Sequence, residues 1–349
     1  MSTKVSLNIV TWNGLRYLPE LLDSIDSQTF RDFTVRVIDN GSDDGTVEYL
    51  ANQRPDIMLV RNVKNHGFTV GHNQAMRFAL DRWPETEQGN CYVLCCNQDV
   101  ILTPDFLMRI VEEADNNPKV GAFCGKLLRA YGENLNDEVL KETVKSERID
   151  STGLRANMWR RFTDRGAGEM DQGQYDQDCD IFGVSGALAL YRASVLSDVK
   201  LGKDYFDEDF FSYREDVDLS WRIRTQGWGV HYVPEAVAYH WRGLYGKEKV
   251  GAWARIRNRR KKRPFFAAMS TRNQWFVLLK NEHWLNCILS MPLVVPLEFV
   301  RLCYMIVFET RSLWILPSFL KLFPKMFKKR LLISKKRRVR ASEIRQWFK

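Results

Sequence analysis

Across the first 115 or so residues, short β-branched apolar segments alternate with segments whose apolar residues recur at helical spacing. This order leaves few folds. Successive strands joined through helices lie parallel, in a sheet covered by helices on both faces. Val5–Thr11 and residues 34–39, 57–60 and 91–96 read as strands. Leu18, Leu21, Leu22 and Ile25 recur with helical period and predict a helix over 15–27. Further helices are expected from about Thr46, over 70–83 and over 105–114, the last with Thr103 as cap and Pro104 in its first turn. Ligands of such sheets sit beyond the carboxyl ends of the strands, so the polar turns there are where chemistry is sought.

Residues 130–180 are polar and glycine-rich and are expected to hold a hairpin, a mobile loop or both. A buried strand over 181–191, entered through Gly183 and Gly186, a helix over 215–226 and a strand over 237–239 running into His240 follow. The character changes at Gly246. Residues 251–349 hold 23 Lys/Arg against 4 Asp/Glu, whereas residues 1–250 hold 29 against 39, although the whole chain carries only +9. An acidic domain over 1–245 is thus expected to precede a basic amphipathic helical region over 246–349, a split that points to anionic lipid or nucleic acid. After the basic stretch 247–263 and a helix over 271–280, apolar runs cover 284–297, 302–308 and 312–320. The longest contains two prolines and falls short of the about 20 apolar residues that a spanning helix needs. With the basic segment 325–340 they read as interfacial helices in one leaflet. Trp, Phe, Leu and Ile interleaved with the basic residues suit lipid better than a phosphate groove, so no nucleic acid partner is expected. The start of the sequence has no basic segment followed by a long apolar stretch, which predicts a cytoplasmic chain. The seven cysteines, odd in number and mostly inside apolar segments, read as buried reduced thiols, and Cys91, Cys95 and Cys96 lack the second pair of a zinc site.

Five segments carry candidate chemistry. Asp39-Asn40 ends a strand, where a carboxylate suits a base or ribose; a turn with local backbone bonds competes equally. Asn97-Gln98-Asp99 follows a strand, where a carboxylate can hold a divalent metal on a diphosphate; a loop cap is the alternative. Glu215-Asp216 opens a helix, where a carboxylate stays ionised and can serve as general base; ordinary acidic capping is the alternative. Asn65, Gly67 and Asn73 lie at a loop-to-helix junction that can approach a phosphate or base. His240, at a strand end, can ligate metal or be structural.

In this order and spacing the motifs, with the opening Thr11-Trp12-Asn13, resemble glycosyltransferase family 2, the inverting GT-A enzymes, over residues 5–245. The resemblance implies an α/β fold with a mostly parallel, Rossmann-like sheet flanked by helices. It implies that Thr11, Asn13, Asp39, Asn40, Asn65, Gly67, Asn73, Asn97 and Gln98 contact the nucleotide donor. It further implies that Asp99 and His240 hold Mg²⁺ or Mn²⁺, and that Asp216, aided by Glu215, takes the acceptor proton. Asn97 stands where the family keeps the first acid of its DxD motif and brings no charge. Residues 149–153, 183–187 and Arg272-Asn273 are similar to the bacterial rhamnosyltransferase-like branch. That likeness implies dTDP-L-rhamnose as donor and a polyprenyl-diphosphate-linked sugar as acceptor, in cell-surface polysaccharide assembly such as O-antigen or cell wall. Gly183, Ser185, Gly186 and Arg214 would line the acceptor side, with the enzyme peripheral on the cytoplasmic face of the plasma membrane. Another UDP-, GDP- or dTDP-sugar, or a non-catalytic nucleotide-binding membrane scaffold, is the alternative. A processive synthase is disfavoured by the absence of a Gln-x-x-Arg-Trp motif. The oligomeric state is left open.

Overall fold

A computed structural model describes residues 3–132, 143–241 and 264–349. The basic stretch 247–263 and the expected boundary at 245/246 lie outside the described residues. The first half follows the alternation: β1 Val5–Thr11, α1 Leu18–Asp26, β2 Phe33–Asp39, α2 Thr46–Gln53, β3 Met58–Arg61, α3 Gly67–Leu80, β4 Tyr92–Asn97, β5 Val100–Leu102 and α4 Phe106–Asn116. The second half supplies β6 Val120–Gly132, β7 Thr143–Ser151, β8 Leu154–Ala156, β9 Phe162–Asp164, β10 Leu188–Arg192, α5 Ala193–Val199, α6 Glu215–Thr225 and β11 Gly229–Trp241. Nine strands form one sheet in the order β3-β2-β1-β4-β10-β6-β11-β5, with β7 on β6. The β3-β2-β1-β4 portion is parallel, as strand–helix alternation demands. β10 enters antiparallel between β4 and β6, so the sheet is mixed.

Both faces are covered. Along β4, Tyr92, Leu94 and Cys96 join the core under α1, α2 and α4, while Val93 and Cys95 join the core under α3, α5 and α6. This two-residue period explains why the strand reads as a continuous apolar run. Cys91, Cys95, Cys96 and Cys124 are buried thiols, whereas Cys287 and Cys303 are exposed. A third core joins Phe162, Phe182 and Trp221 to Phe276, Met326 and Phe348, so the C-terminal helices pack directly on α6.

Several expectations are corrected. Thr103 does not cap α4; its hydroxyl donates to the Val237 carbonyl at 2.6 Å and Asp105 is the cap residue. The strand expected over 181–191 is confined to Leu188–Arg192. A Cβ on Gly183 would lie 2.5 Å from that of Ser220, and the Gly183 carbonyl accepts from Leu154, so this segment wraps α6 instead of extending the sheet. The apolar runs 284–297 and 302–308 form one helix, Trp284–Phe308, through Pro292 and Pro296. The prolines are four apart on an exposed face, and Glu298 and Arg301, which interrupt the apolar pattern, are taken up by partners on the rest of the protein. Of the described residues, this one helix is long and apolar enough to cross a membrane by length and composition.

Candidate active site

The parallel strands bring their carboxyl ends to one edge: Thr11 pairs with Asp39, and Val10 with Asn97. The residues expected to meet a nucleotide lie along it. Asp39 is fully buried and binds its own turn, accepting from the Gly41 and Ser42 amides and from the Ser42 hydroxyl. Ser42 in turn accepts from the Asn13 amide at 2.9 Å. Asn13, at φ 50°, exchanges side-chain bonds with Asp43, so the β1 and β2 turns are clamped together. Asn40 donates to the Gly67 carbonyl, and Asn65 accepts from the Gly67 amide. Asn73 is fully buried and holds Tyr205, Phe206 and Glu208, facing the protein and not the open edge.

The turn after β4 is tied to the turn after β1. Gln98 accepts from the Thr11 hydroxyl at 2.7 Å and from the Trp12 amide at 2.9 Å. Asp99 then faces His240, with Nε2 3.3 Å from Oδ1. Behind it, His240 Nδ1 meets Asp150 at 2.8 Å, and Arg129 lies 3.6 Å from that carboxylate. Burial opposes charge on this ring, but Asp99 and Asp150 outweigh it and push its pKa up to about 10. Among the described residues no three His, Cys, Asp or Glu side chains would by themselves hold a metal ion. Asp99 and His240 converge, Asp99 is partly open to solvent, and a metal ion that displaces the Nε2 proton would find two donors there. This suits a divalent ion that takes its other ligands from substrate phosphates and water. A carboxylate behind a ligating histidine fixes its ring, the role Asp150 is placed to fill.

Glu215 and Asp216 open α6, as expected. They differ in setting. Glu215 is buried, its Oε2 has no hydrogen-bond partner, and burial with the Asp216 charge raises its pKa well above the carboxylate range. Asp216 is half-buried, accepting from the Gly186 amide at 3.1 Å and from the Val217 amide at 2.8 Å. Burial also raises its pKa, against those two bonds. It is therefore the better placed and the more readily ionised of the two. Arg214 donates to the Phe162 carbonyl, and Ser185 is buried.

The backbone links acid and metal turns. Asp216 holds Gly186, the Ala187 carbonyl accepts from the Asn97 amide at 2.9 Å, and Asp99 lies two residues on. Sequence reasoning did not assign a role to Asp150, which the motif at 149–153 contained. It also missed a buried charge cluster beneath α6. There Lys280 contacts Asp207 and Asp218, Lys329 contacts Asp207 and Asp209, and Arg222 contacts Asp218. Beyond the i,i+4 pair of Asp218 and Arg222, no short-range pattern signals it, because Lys280 and Lys329 come from distant segments.

A model of the family described as glycosyl transferase family 2 matches residues 6–200. The chain is 27% identical over 241 residues to the N-acetylglucosaminyl-diphospho-decaprenol L-rhamnosyltransferase of Mycobacterium tuberculosis, covering 66% of this chain and 74% of that protein. It is 23% identical over 275 residues to the poly-beta-1,6-N-acetyl-D-glucosamine synthase of Staphylococcus aureus, covering 77% of this chain and 58% of the synthase. Its fold matches GalNAc-T7 with UDP, GalNAc and Mn²⁺ at TM-score 0.53 and 13% identity, over 80% of this chain and 48% of that one. It matches S. aureus TarS 1-349 with UDP at TM-score 0.51 and 16% identity, over 99% of this chain and 89% of that one.

Proposed function

Because the chain belongs to glycosyl transferase family 2, we propose that it moves L-rhamnose from dTDP-L-rhamnose onto a hydroxyl of a polyprenyl-diphosphate-linked sugar. The observation that carries this reading is the hydrogen-bond chain from the Asp216 carboxylate through Gly186 and Ala187 to Asn97, which ties the proposed base to the turn that bears Asp99, itself against His240. The likeness to an enzyme named for a diphospho-decaprenol acceptor and L-rhamnose supports the donor and acceptor class.

The mechanism is a single displacement. The clamped turns at Thr11–Asn13 and Asp39–Ser42 frame the nucleotide. Asp99 and His240, with Asn97 beside them, would hold Mg²⁺ or Mn²⁺, which neutralises charge growing on the diphosphate. Asp216 takes the proton of the acceptor hydroxyl as its oxygen bonds to the anomeric carbon. The bond to the donor phosphate breaks on the opposite side, and its electron pair leaves with the nucleoside diphosphate. The Gly186 and Val217 amides hold the carboxylate in place for that transfer. Attack from the far face inverts the anomeric configuration.

Peripheral attachment to an anionic, cytoplasmic leaflet completes the reading. On the Trp284–Phe308 helix, Asn286, Ser290, Glu298 and Arg301 turn toward the protein, while Ile288, Phe299, Val300 and Phe308 are more than half exposed. That reverses a soluble helix. Because polar contacts tie the helix to the protein along its length, an in-plane position is favoured over a crossing. The lysines of the Ile315–Lys336 helix add attraction to anionic lipid.

A panel of UDP-, GDP- and dTDP-sugars with a short-chain lipid-diphosphate GlcNAc acceptor and Mg²⁺ or Mn²⁺ tests this. Metal-dependent glycolipid from dTDP-L-rhamnose is expected. Product from another donor alone would refute the rhamnose assignment, and nucleotide binding without product from any donor would favour a non-catalytic scaffold.

A further inference from the structure

The segment that delivers Asp216 is strained. Phe211, Tyr213 and Arg214 all have positive φ, at 64°, 72° and 73°, a region unfavourable to residues with a Cβ. Helix α6 begins at the next residue, so this backbone sets where Glu215 and Asp216 emerge. Strained backbone persists only where its surroundings hold it. Here the holder lies in another part of the chain. Asn273, fully buried in the Pro264–Asn281 helix, directs its one amide nitrogen at three carbonyls: Phe210 at 2.9 Å, Ser212 at 2.9 Å and Tyr213 at 2.8 Å. Its oxygen accepts from Arg272, and the same guanidinium donates to the Asp209 carbonyl. On the opposite side the Thr69 amide donates to the Phe211 carbonyl.

We infer that Asn273 is a positioning residue for the reaction, holding the left-handed segment 211–214 so that Asp216 meets the acceptor hydroxyl. This rests on the reading of Asp216 as base. Asn273 touches neither Asp216 nor the turns at Thr11–Asn13 and Asp39–Ser42, and the segment that it holds meets the Gly67–Thr69 turn through the Phe211 carbonyl, so its loss should lower kcat far more than nucleotide affinity.

The test compares Asn273→Ala and Asn273→Asp with wild type. The second variant keeps the shape and the acceptor for Arg272 but removes the donor. Asn286→Ala is the control, because Asn286 is equally buried and donates to the Ala341 carbonyl, remote from the site. Asp216→Asn is the reference. The readouts are turnover with the donor that the panel identifies, calorimetric affinity for the matching nucleoside diphosphate with Mn²⁺, and amide exchange over 207–217. Both Asn273 variants should lose about 10²-fold in kcat, with a much smaller change in nucleotide affinity and faster exchange over 207–217. A folded Asn273 variant with wild-type kcat, unchanged exchange over 207–217, or an equal kcat loss in Asn286→Ala would overturn the inference. Normal turnover in Asp216→Asn would remove its premise, a failure distinct from the others.

Discussion

Replacing Lys280 by Met should weaken the joint between α6 and the C-terminal helices. The Lys280 side chain is fully buried, and its ammonium lies against Asp207 and, at 2.8 Å, Asp218, both also fully buried. Methionine fills similar volume but leaves each carboxylate one cation short. Breaking a buried pair costs about 3–5 kcal/mol. Asp207 keeps Lys329, and Asp218 keeps Arg222 and Asn281, so the lower end, about 3 kcal/mol, is expected. The sign with pH follows from the carboxylates. Burial pushes the pKa values of Asp207 and Asp218 up, but Lys280 and its neighbours hold both below the usual range. A depressed carboxylate contributes stability that is present above its unfolded pKa and lost as pH falls through the folded one. The deficit of Lys280→Met should therefore be largest near neutrality and shrink below about pH 4. Urea unfolding followed by circular dichroism in mild detergent, at both pH values, measures it. A deficit under about 1 kcal/mol, the size of a surface pair, or one that grows on acidification, would mean that Lys280 does not hold the two carboxylates ionised.

Asp150→Asn should weaken Mn²⁺ binding in the presence of a nucleoside diphosphate by about 10–100-fold, read by electron paramagnetic resonance, because it removes the carboxylate that orients His240. Gly67→Ala should destabilise by more than about 1 kcal/mol in the same unfolding assay, since φ is +83° and the new Cβ would lie 2.5 Å from the Phe211 carbonyl oxygen. Flotation with vesicles containing anionic lipid should succeed for the full chain and fail when Phe299, Val300 and Phe308 are changed together to Asp. Flotation that survives this change would contradict the proposed lipid face.

The sheet was legible wherever local pattern and global fold agree. The β-branched run Val5–Thr11 and the turn-bounded Phe33–Asp39 have strand period and clear stops, and each occupies its place. The limits came from contacts made at a distance. Thr103-Pro104 has the local chemistry of a cap, yet the Thr103 hydroxyl is taken by Val237. Gly183 reads as a strand entry, yet its missing Cβ serves close approach to Ser220. The Trp284–Phe308 helix was hidden by Pro292 and Pro296, and by Glu298 and Arg301, whose charged groups meet Arg161, Trp275 and Thr271. At the site, the order of motifs pointed to the edge where Asn97, Asp99, Asp216 and His240 gather. It did not show that Asp39 and Asn73 spend their polar atoms on the protein, nor that Asp150 stands behind His240.

The most direct test of a single displacement driven by Asp216 is the anomeric configuration of the first-formed product, followed by proton NMR with the productive donor. Inversion relative to the donor is expected. A product that retains the donor configuration would require a second displacement or a different nucleophile, and would contradict a single displacement.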